Sequence, residues 1–118
     1  MRLLAALGAV ALLGVAGQAR AADDWAIGAD LRCVVAMGYS INNPTYHDAA
    51  ASGLFYFVGR LEGRDPAFDL AKGLKLVSGM PGSQVVSEAK RCFDELKAKN
   101  EMLKAISPTT APTRRGVG

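Results

Sequence analysis

The chain has 118 residues, half of them hydrophobic, and a formal net charge of +3 at pH 7. This length allows one domain, whose core would bury only about two thirds of the surface that the unfolded chain exposes. The Lys and Arg residues form no concentrated basic patch, so we expect no nucleic-acid interface.

The first 21 residues have the pattern of a secretory signal peptide. Arg2 is positively charged, residues 3–16 are all apolar, and Ala19 and Ala21 are the small residues that precede a cleavage site. The apolar run is shorter than the roughly 18–20 residues that span a bilayer. Cleavage after Ala21 would leave twelve Lys and Arg and eleven Asp and Glu, a net charge of +1. We therefore predict a periplasmic protein with no transmembrane segment after signal cleavage.

Cys33 and Cys92 are the two cysteines of the chain. In an oxidising compartment such a pair is typical of a disulfide bond. The sequence has no C-x-x-C motif, and neither cysteine has histidine neighbours that would complete a zinc site. We predict a disulfide that stabilises the fold by roughly 4 kcal/mol through loop closure.

The first helix of the mature chain is predicted from Trp25 to Tyr39, with Asp23 or Asp24 as its N-cap. We expect Trp25 to anchor the start of this helix in the core. Residues spaced by three and four predict the buried face. They are Ile27, Leu31, Val34, Val35 and Gly38, with Cys33 at one edge.

The second helix is predicted from Pro44 to Leu61 or Glu62, with Asn43 as its cap and Gly63 as a left-handed stop. Its helical stripe comprises Ala50, Gly53, Leu54, Phe57, Val58 and Leu61. Phe55 and Tyr56 lie outside this stripe, so the helix is apolar over most of its circumference. A helix of that composition is typically buried on several sides. We therefore predict that it is the central helix of the fold.

The third helix is predicted to begin with Asp65 as cap and Pro66 as first residue, and to end at Val77. Its predicted buried residues are Ala67, Leu70, Ala71, Leu74 and Val77.

The fourth helix is predicted from Ser83 or Gln84 to Ile106. Its predicted inward stripe comprises Val85, Ala89, Cys92, Leu96, Leu103 and Ile106. Residues 107–118 contain Pro, Thr and Gly and have little to bury, so we predict a disordered tail. The predicted organisation is a signal peptide (1–21), a helical domain (22–106) and this tail. The predicted fold is an all-α four-helix bundle tied by one disulfide between its first and last helices.

Few residues suggest catalysis. His47 is the single histidine, and its neighbour Asp48 cannot orient it, because adjacent helical residues point about 100° apart. We expect His47 to be exposed, and we predict no catalytic residue, no cofactor, no metal site and no enzymatic activity.

The most unusual polar cluster alternates Arg60 and Arg64 with Glu62 and Asp65. These residues could hold the corner between two helices through Arg–carboxylate hydrogen bonds. Alternatively, the corner could recognise an acidic group of a partner. We take Phe55, Tyr56, Arg60 and Arg64 as a candidate interaction surface.

The signal peptide, the short four-helix domain and the placement of Cys33 and Cys92 resemble the HdeA-like periplasmic proteins, a group that includes acid-stress chaperones. The segment from Tyr56 to Pro66 also resembles a motif in exported alphaproteobacterial proteins of unknown activity. The resemblance to the HdeA-like group implies a protein-binding or chaperone-like function in the periplasm. The alternatives are a dedicated subunit or inhibitor of an envelope protein, and a small enzyme that uses His47 or the corner at Arg60–Asp65.

Overall fold

The computed structural model describes the backbone of residues 8–110 and the side chains of residues 23–107. Within that range the chain forms four α-helices and no strand. They are α1 (Gly8–Ser40), α2 (His47–Arg64), α3 (Leu70–Val77) and α4 (Gly82–Thr110). The predicted all-α fold of four helices is confirmed. Residues 1–7 of the predicted signal peptide and residues 111–118 of the predicted tail lie outside the described residues.

Helix α1 begins well before the predicted start of the first helix. No proline interrupts the sequence between Gly8 and Ser40, and the helix runs through Asp23 and Asp24. The prediction that either aspartate caps the helix is therefore wrong. Trp25 is 71% exposed, so its predicted role as a core anchor is also wrong. Among the described side chains of α1, from Asp23 onward, the first buried one is that of Ala29.

Within residues 8–110, no helix combines the length and the apolar character that crossing a membrane requires.

The central helix is α1 rather than α2, because α1 packs against each of the other three helices. The predicted stripe of α2 is largely confirmed, since Ala50, Gly53, Phe57 and Leu61 are all buried. However, Phe55 is 82% exposed, so α2 buries one face and not several. The core cluster draws most of its members from α1. It comprises Leu31, Cys33, Val34, Ala36, Met37, Ala50, Phe57, Leu61 and Cys92.

The ends of α2 differ from the predicted caps. Asn43 Oδ1 accepts a hydrogen bond from Thr45 N at 3.0 Å within a turn, and the helix begins only at His47. Gly63 remains helical. The helix ends at Arg64 because Asp65, which precedes a proline, is extended with φ −146° and ψ 106°. The proline ring disfavours the helical conformation for the residue before it.

Helix α3 begins four residues later than predicted. Its N-cap is Asp69, whose side chain accepts a hydrogen bond from Lys72 N at 2.9 Å. Asp65 instead closes a turn by accepting from Ala67 N at 2.9 Å. With the helix shifted in this way, Ala67 and Ala71 are exposed and not buried as predicted. The buried residue of α3 is Gly73, which lies against α1.

The predicted disulfide is confirmed. Cys33 of α1 and Cys92 of α4 are bonded, with their Cα atoms 5.6 Å apart, and both are fully buried. The bond thus joins the first and last helices at the centre of the core.

Helix α4 is buried only over its first half. Val85 and Cys92 are buried, whereas Leu103 and Ile106 are 54% and 45% exposed. The prediction that these last two residues face inward is therefore wrong. Helices α1 and α2 cover the early turns of α4, and residues 101–107 of its later turns are exposed.

Side chains of α1 and α4 pack closely against α2 at Gly53. A β-carbon at this position would lie 2.6 Å from Met37 Sδ and 2.8 Å from Leu96 Cδ1. Replacing Gly53 with Ala should lower the free energy of unfolding by about 1–3 kcal/mol, because the packed side chains must move. Urea denaturation measures this change.

Gly59→Ala is the matched control, since it lies in the same helix and nothing lies within 4 Å of a β-carbon there. Alanine should stabilise this position by about 0.5–1 kcal/mol, because it restricts the unfolded chain more than glycine does. Equal effects at the two positions would contradict the close approach at Gly53.

Removing the disulfide should also be costly. The bond closes a separation of 59 residues. The double variant Cys33→Ala/Cys92→Ala should lose about 4 kcal/mol of unfolding free energy in the chain-entropy model. Thermal melts of the oxidised protein, the reduced protein and the double variant provide the measurement. An oxidised protein that melts at the same temperature as the other two would contradict a structural role for this bond.

Candidate functional site

A buried carboxylate lies where α1 meets α2. Of the charged side chains in the part of the chain that the structure describes, that of Asp30 alone is fully buried. It lies between the buried residues Ala29 and Leu31. A charge in such surroundings must be paired and hydrogen-bonded, because its loss of hydration is otherwise very unfavourable.

Arg60 of α2 satisfies this requirement. Its guanidinium binds Asp30 through two hydrogen bonds, with Nη2 donating to Oδ1 and Nε donating to Oδ2, the latter at 3.0 Å. Nη1 donates to Glu95 Oε1 of α4 and, at 3.1 Å, to the hydroxyl of Tyr56. The guanidinium carbon also lies 5.4 Å from the ring centre of Tyr56 and 5.5 Å from that of Phe57. One cation therefore joins three helices.

The hydrogen bond to Asp30 is the main reason why the pKa of Arg60 lies above its usual value, and Glu95 and Tyr56 contribute in the same direction. Desolvation by burial opposes the shift. A raised pKa of a basic group stabilises the fold at every pH below the unfolded pKa, and that contribution is lost only as the pH rises through the folded value. Arg60 therefore keeps its charge throughout the range in which proteins are handled.

The two arginines of the predicted polar corner bind α1 rather than their sequence neighbours. Arg64 Nη2 lies 3.4 Å from Asp30 Oδ2, a weaker contact than those of Arg60. Among the described residues, no ion pair joins either arginine to Glu62 or Asp65. The prediction that these arginines hold the corner through Glu62 and Asp65 is therefore wrong, because the carboxylates that they bind are Asp30 and Glu95.

A second ionic cluster covers the disulfide. Glu88 accepts hydrogen bonds from Arg32 Nε of α1 at 3.0 Å and from Arg91 Nε at 2.7 Å. Arg91 Nη2 also donates to the carbonyl oxygen of Ala29 at 3.0 Å and to Cys33 Sγ at 3.2 Å. This cluster attaches the first turns of α4 to α1.

Beside these ties, side chains of α2 and α4 line an apolar groove of about 630 Å³, which we call the α2–α4 groove. At one end the rings of Tyr46 and Phe93 pack with their centres 5.6 Å apart. The groove is lined by Tyr46, Ala49, Ser52 and Tyr56 from the α2 side, and by Phe93, Leu96, Lys97, Lys99, Asn100 and Leu103 from α4. Aromatic and aliphatic side chains with a few polar groups at the edges are typical of a binding site.

The four residues of the predicted interaction surface do not lie together. Tyr56, Arg60 and Arg64 lie on the side of α2 that meets Asp30, and Tyr56 also lines the groove. Phe55 instead borders a separate and smaller apolar depression, with Ile41 and Val58 among its neighbours. Whether any of these residues binds a partner stays a prediction.

His47 is exposed, as expected, and its Nδ1 lies 2.9 Å from the carbonyl oxygen of Ile41. Carbonyl oxygen only accepts hydrogen bonds, so Nδ1 donates in this contact. The ring thus closes the turn that precedes α2.

In the described part of the chain, no group of three or more His, Cys, Asp or Glu side chains is placed to hold a metal ion. The chain matches no protein-family model, and neither a curated protein nor a solved structure is significantly similar to it. The resemblance to HdeA-like proteins therefore stays a prediction.

Sequence reasoning missed Asp30, although the sequence contains a signal for it. Asp30 follows Ile27 by three residues and precedes Val34 by four, so it lies on the stripe that predicted the buried face of the first helix. A carboxylate on an apolar helical face requires a cationic partner. The groove itself had no such signal, because it depends on how α2 and α4 pack in three dimensions.

Replacing Arg60 with Met should lower the free energy of unfolding by about 3–5 kcal/mol, because the charge of Asp30 would remain buried without its main partner. Arg64→Met is the matched control and should cost no more than about 1 kcal/mol, since Arg64 makes one long, partly exposed contact. Chemical denaturation of both variants gives the comparison.

The double variant Asp30→Asn/Arg60→Met should be more stable than the sum of the two single losses predicts, because no charge is then stranded. Additivity within about 0.5 kcal/mol is typical of independent sites. A double variant whose loss equals the sum of the two single losses would contradict direct coupling of Asp30 and Arg60.

Proposed function

We propose that this is a small exported helical protein that binds other proteins in the periplasm in a chaperone-like manner, without catalysing a reaction. The observation that carries this proposal is the α2–α4 groove, an apolar surface left open between two helices of the domain. The sequence supports export through residues 1–21, and a buried disulfide is compatible with an oxidising compartment.

The chemistry of the groove suits a protein partner. Tyr46, Tyr56 and Phe93 contribute aromatic rings, and tyrosine and phenylalanine are enriched at the centres of protein interfaces. At the far end of the groove, Leu103 is 54% exposed. Exposed apolar surface that is continuous with a groove favours protein binding.

Bonds between helices hold one end of the groove. Its two walls are joined by the hydrogen bond between Arg60 and Glu95, and α4 is attached to α1 by the disulfide. A site that is held before binding loses little conformational freedom, so more of the contact energy remains as affinity. The held end of the groove therefore favours the alternative of a dedicated subunit or inhibitor of an envelope protein, because a site with one fixed shape suits one partner.

A photo-crosslinking amino acid in place of Leu103 should capture protein partners in the intact cell envelope. Leu103 lines the groove and is 54% exposed. The same amino acid in place of Val86 is the matched control, since Val86 is 66% exposed on the same helix and does not line the groove. We expect crosslinked products at position 103 and few or none at position 86.

Many partners that increase under acid or heat would favour the chaperone-like function, and one stoichiometric partner would favour a dedicated subunit or inhibitor. Equal products at the two positions, or none at position 103, would overturn protein binding through the groove.

A further inference from the structure

We infer that the α2–α4 groove binds an amphipathic helix of the partner, whose apolar stripe is bordered by acidic side chains. This inference rests on the proposed protein-binding function and specifies the chemistry of the partner. It draws on two features of the groove: the length of its apolar wall and the two lysines at its edges.

The α4 wall of the groove extends from Phe93 to Leu103. Ten residues of α-helix span about 15 Å, which is close to three turns. Phe93, Leu96 and Leu103 repeat along this wall with helical spacing, and Leu103 is 54% exposed. An apolar wall of this length matches the stripe of a second helix, as in helix-in-groove recognition.

Two lysines border the wall. Successive helical residues are about 100° apart, so Lys97 and Lys99 lie on opposite sides of the line through Leu96, Asn100 and Leu103. Both nevertheless line the groove. A helix lying in the groove would therefore meet a positive charge along each of its flanks.

Unlike the other two lysines of α4, Lys97 and Lys99 have no acidic partner among the described residues. Lys90 pairs with Asp94 at 3.2 Å, and Lys104 pairs with Glu101 at 3.3 Å. Among the described residues, no carboxylate lies within ion-pair distance of Lys97 or Lys99. The unpaired charges of this region thus coincide with the edges of the groove. Complementary charge at an interface gives specificity and excludes partners of like charge.

The same charges argue against a second copy of the chain as the occupant. Two identical copies joined groove to groove would bring four lysines together, with no acidic residue among the side chains that line the groove. A partner whose helix carries Glu or Asp beside its apolar stripe has no such repulsion.

Three synthetic helical peptides test the inference. They share one apolar stripe of about three turns, and the positions beside the stripe are all Glu, all Gln or all Lys. Titration of each labelled peptide with the oxidised protein, followed by fluorescence anisotropy, should show the Glu peptide binding about fivefold more tightly than the Gln peptide. The Lys peptide should bind most weakly. The preference should shrink with added salt, because exposed charge pairs are screened.

Two pairs of variants make the test specific. Lys97→Glu/Lys99→Glu should reverse the order of the peptides, whereas Lys72→Glu/Lys75→Glu should not, although it changes the net charge by the same amount on α3. Leu103→Asp should weaken the Glu peptide more than tenfold, and Val86→Asp should leave its affinity unchanged.

Equal affinity for the Glu and Lys peptides, or the same response to both lysine double variants, would overturn the inference. It would also be overturned by a homodimer that Leu103→Asp dissociates, or by phospholipid vesicles that bind where the peptides do not. If groove-specific crosslinks persist in cells while the peptides show no charge preference, the protein-binding function stands and the acidic helix is wrong. If position 103 yields no crosslinks, the proposed function itself is wrong.

Discussion

The arrangement of the helices depends on one buried carboxylate. Asp30 lies in the apolar face of α1, and its burial is compatible with a stable fold only if a cation reaches it with the right geometry. Arg60 does so from α2, and two of its three remaining N–H groups, both on Nη1, donate to Tyr56 and Glu95. Because the guanidinium is planar and rigid, an Arg60 that satisfies Asp30 also directs Nη1 towards Glu95 of α4. One polar cluster therefore connects α1, α2 and α4.

The disulfide and the Asp30 cluster act on the same stretch of α4. Cys92 and Glu95 are less than one turn apart, and both connect α4 to the helices beneath it. Glu88 and Arg91 add contacts on the turn before. Four ties within eight residues hold this part of α4 firmly, whereas Leu103 in a later turn is 54% exposed. The groove extends from the tied stretch towards these exposed turns.

The helical nature of the chain and the disulfide could be predicted from the sequence, because they depend on local periodicity and on the pairing of two cysteines. The boundaries could not. Asp65 was predicted to be the N-cap of α3. Because the residue before a proline disfavours the helical conformation, Asp65 is extended and α2 ends there. The N-cap of α3 is Asp69 instead. The central helix was predicted to be α2 because of its composition, but Phe55 contributes bulk to the solvent side and none to the core. The number of apolar residues in a helix does not show which of them another helix covers.

The same reasoning explains why residues that line the groove were predicted to be buried in the core. Leu96 and Leu103 belong to one stripe with helical spacing, and periodicity marks that whole stripe for burial. The structure covers its beginning with α1 and α2 and leaves its end at the surface. The proposed partner would cover the part of the stripe that this domain leaves exposed. Lys99 borders this part of the stripe and lines the groove, where a purely internal core would place another apolar side chain. A lysine beside an exposed apolar stripe fits a partner that is selected by charge, so the departure from the core pattern agrees with the proposed binding of an acidic helix.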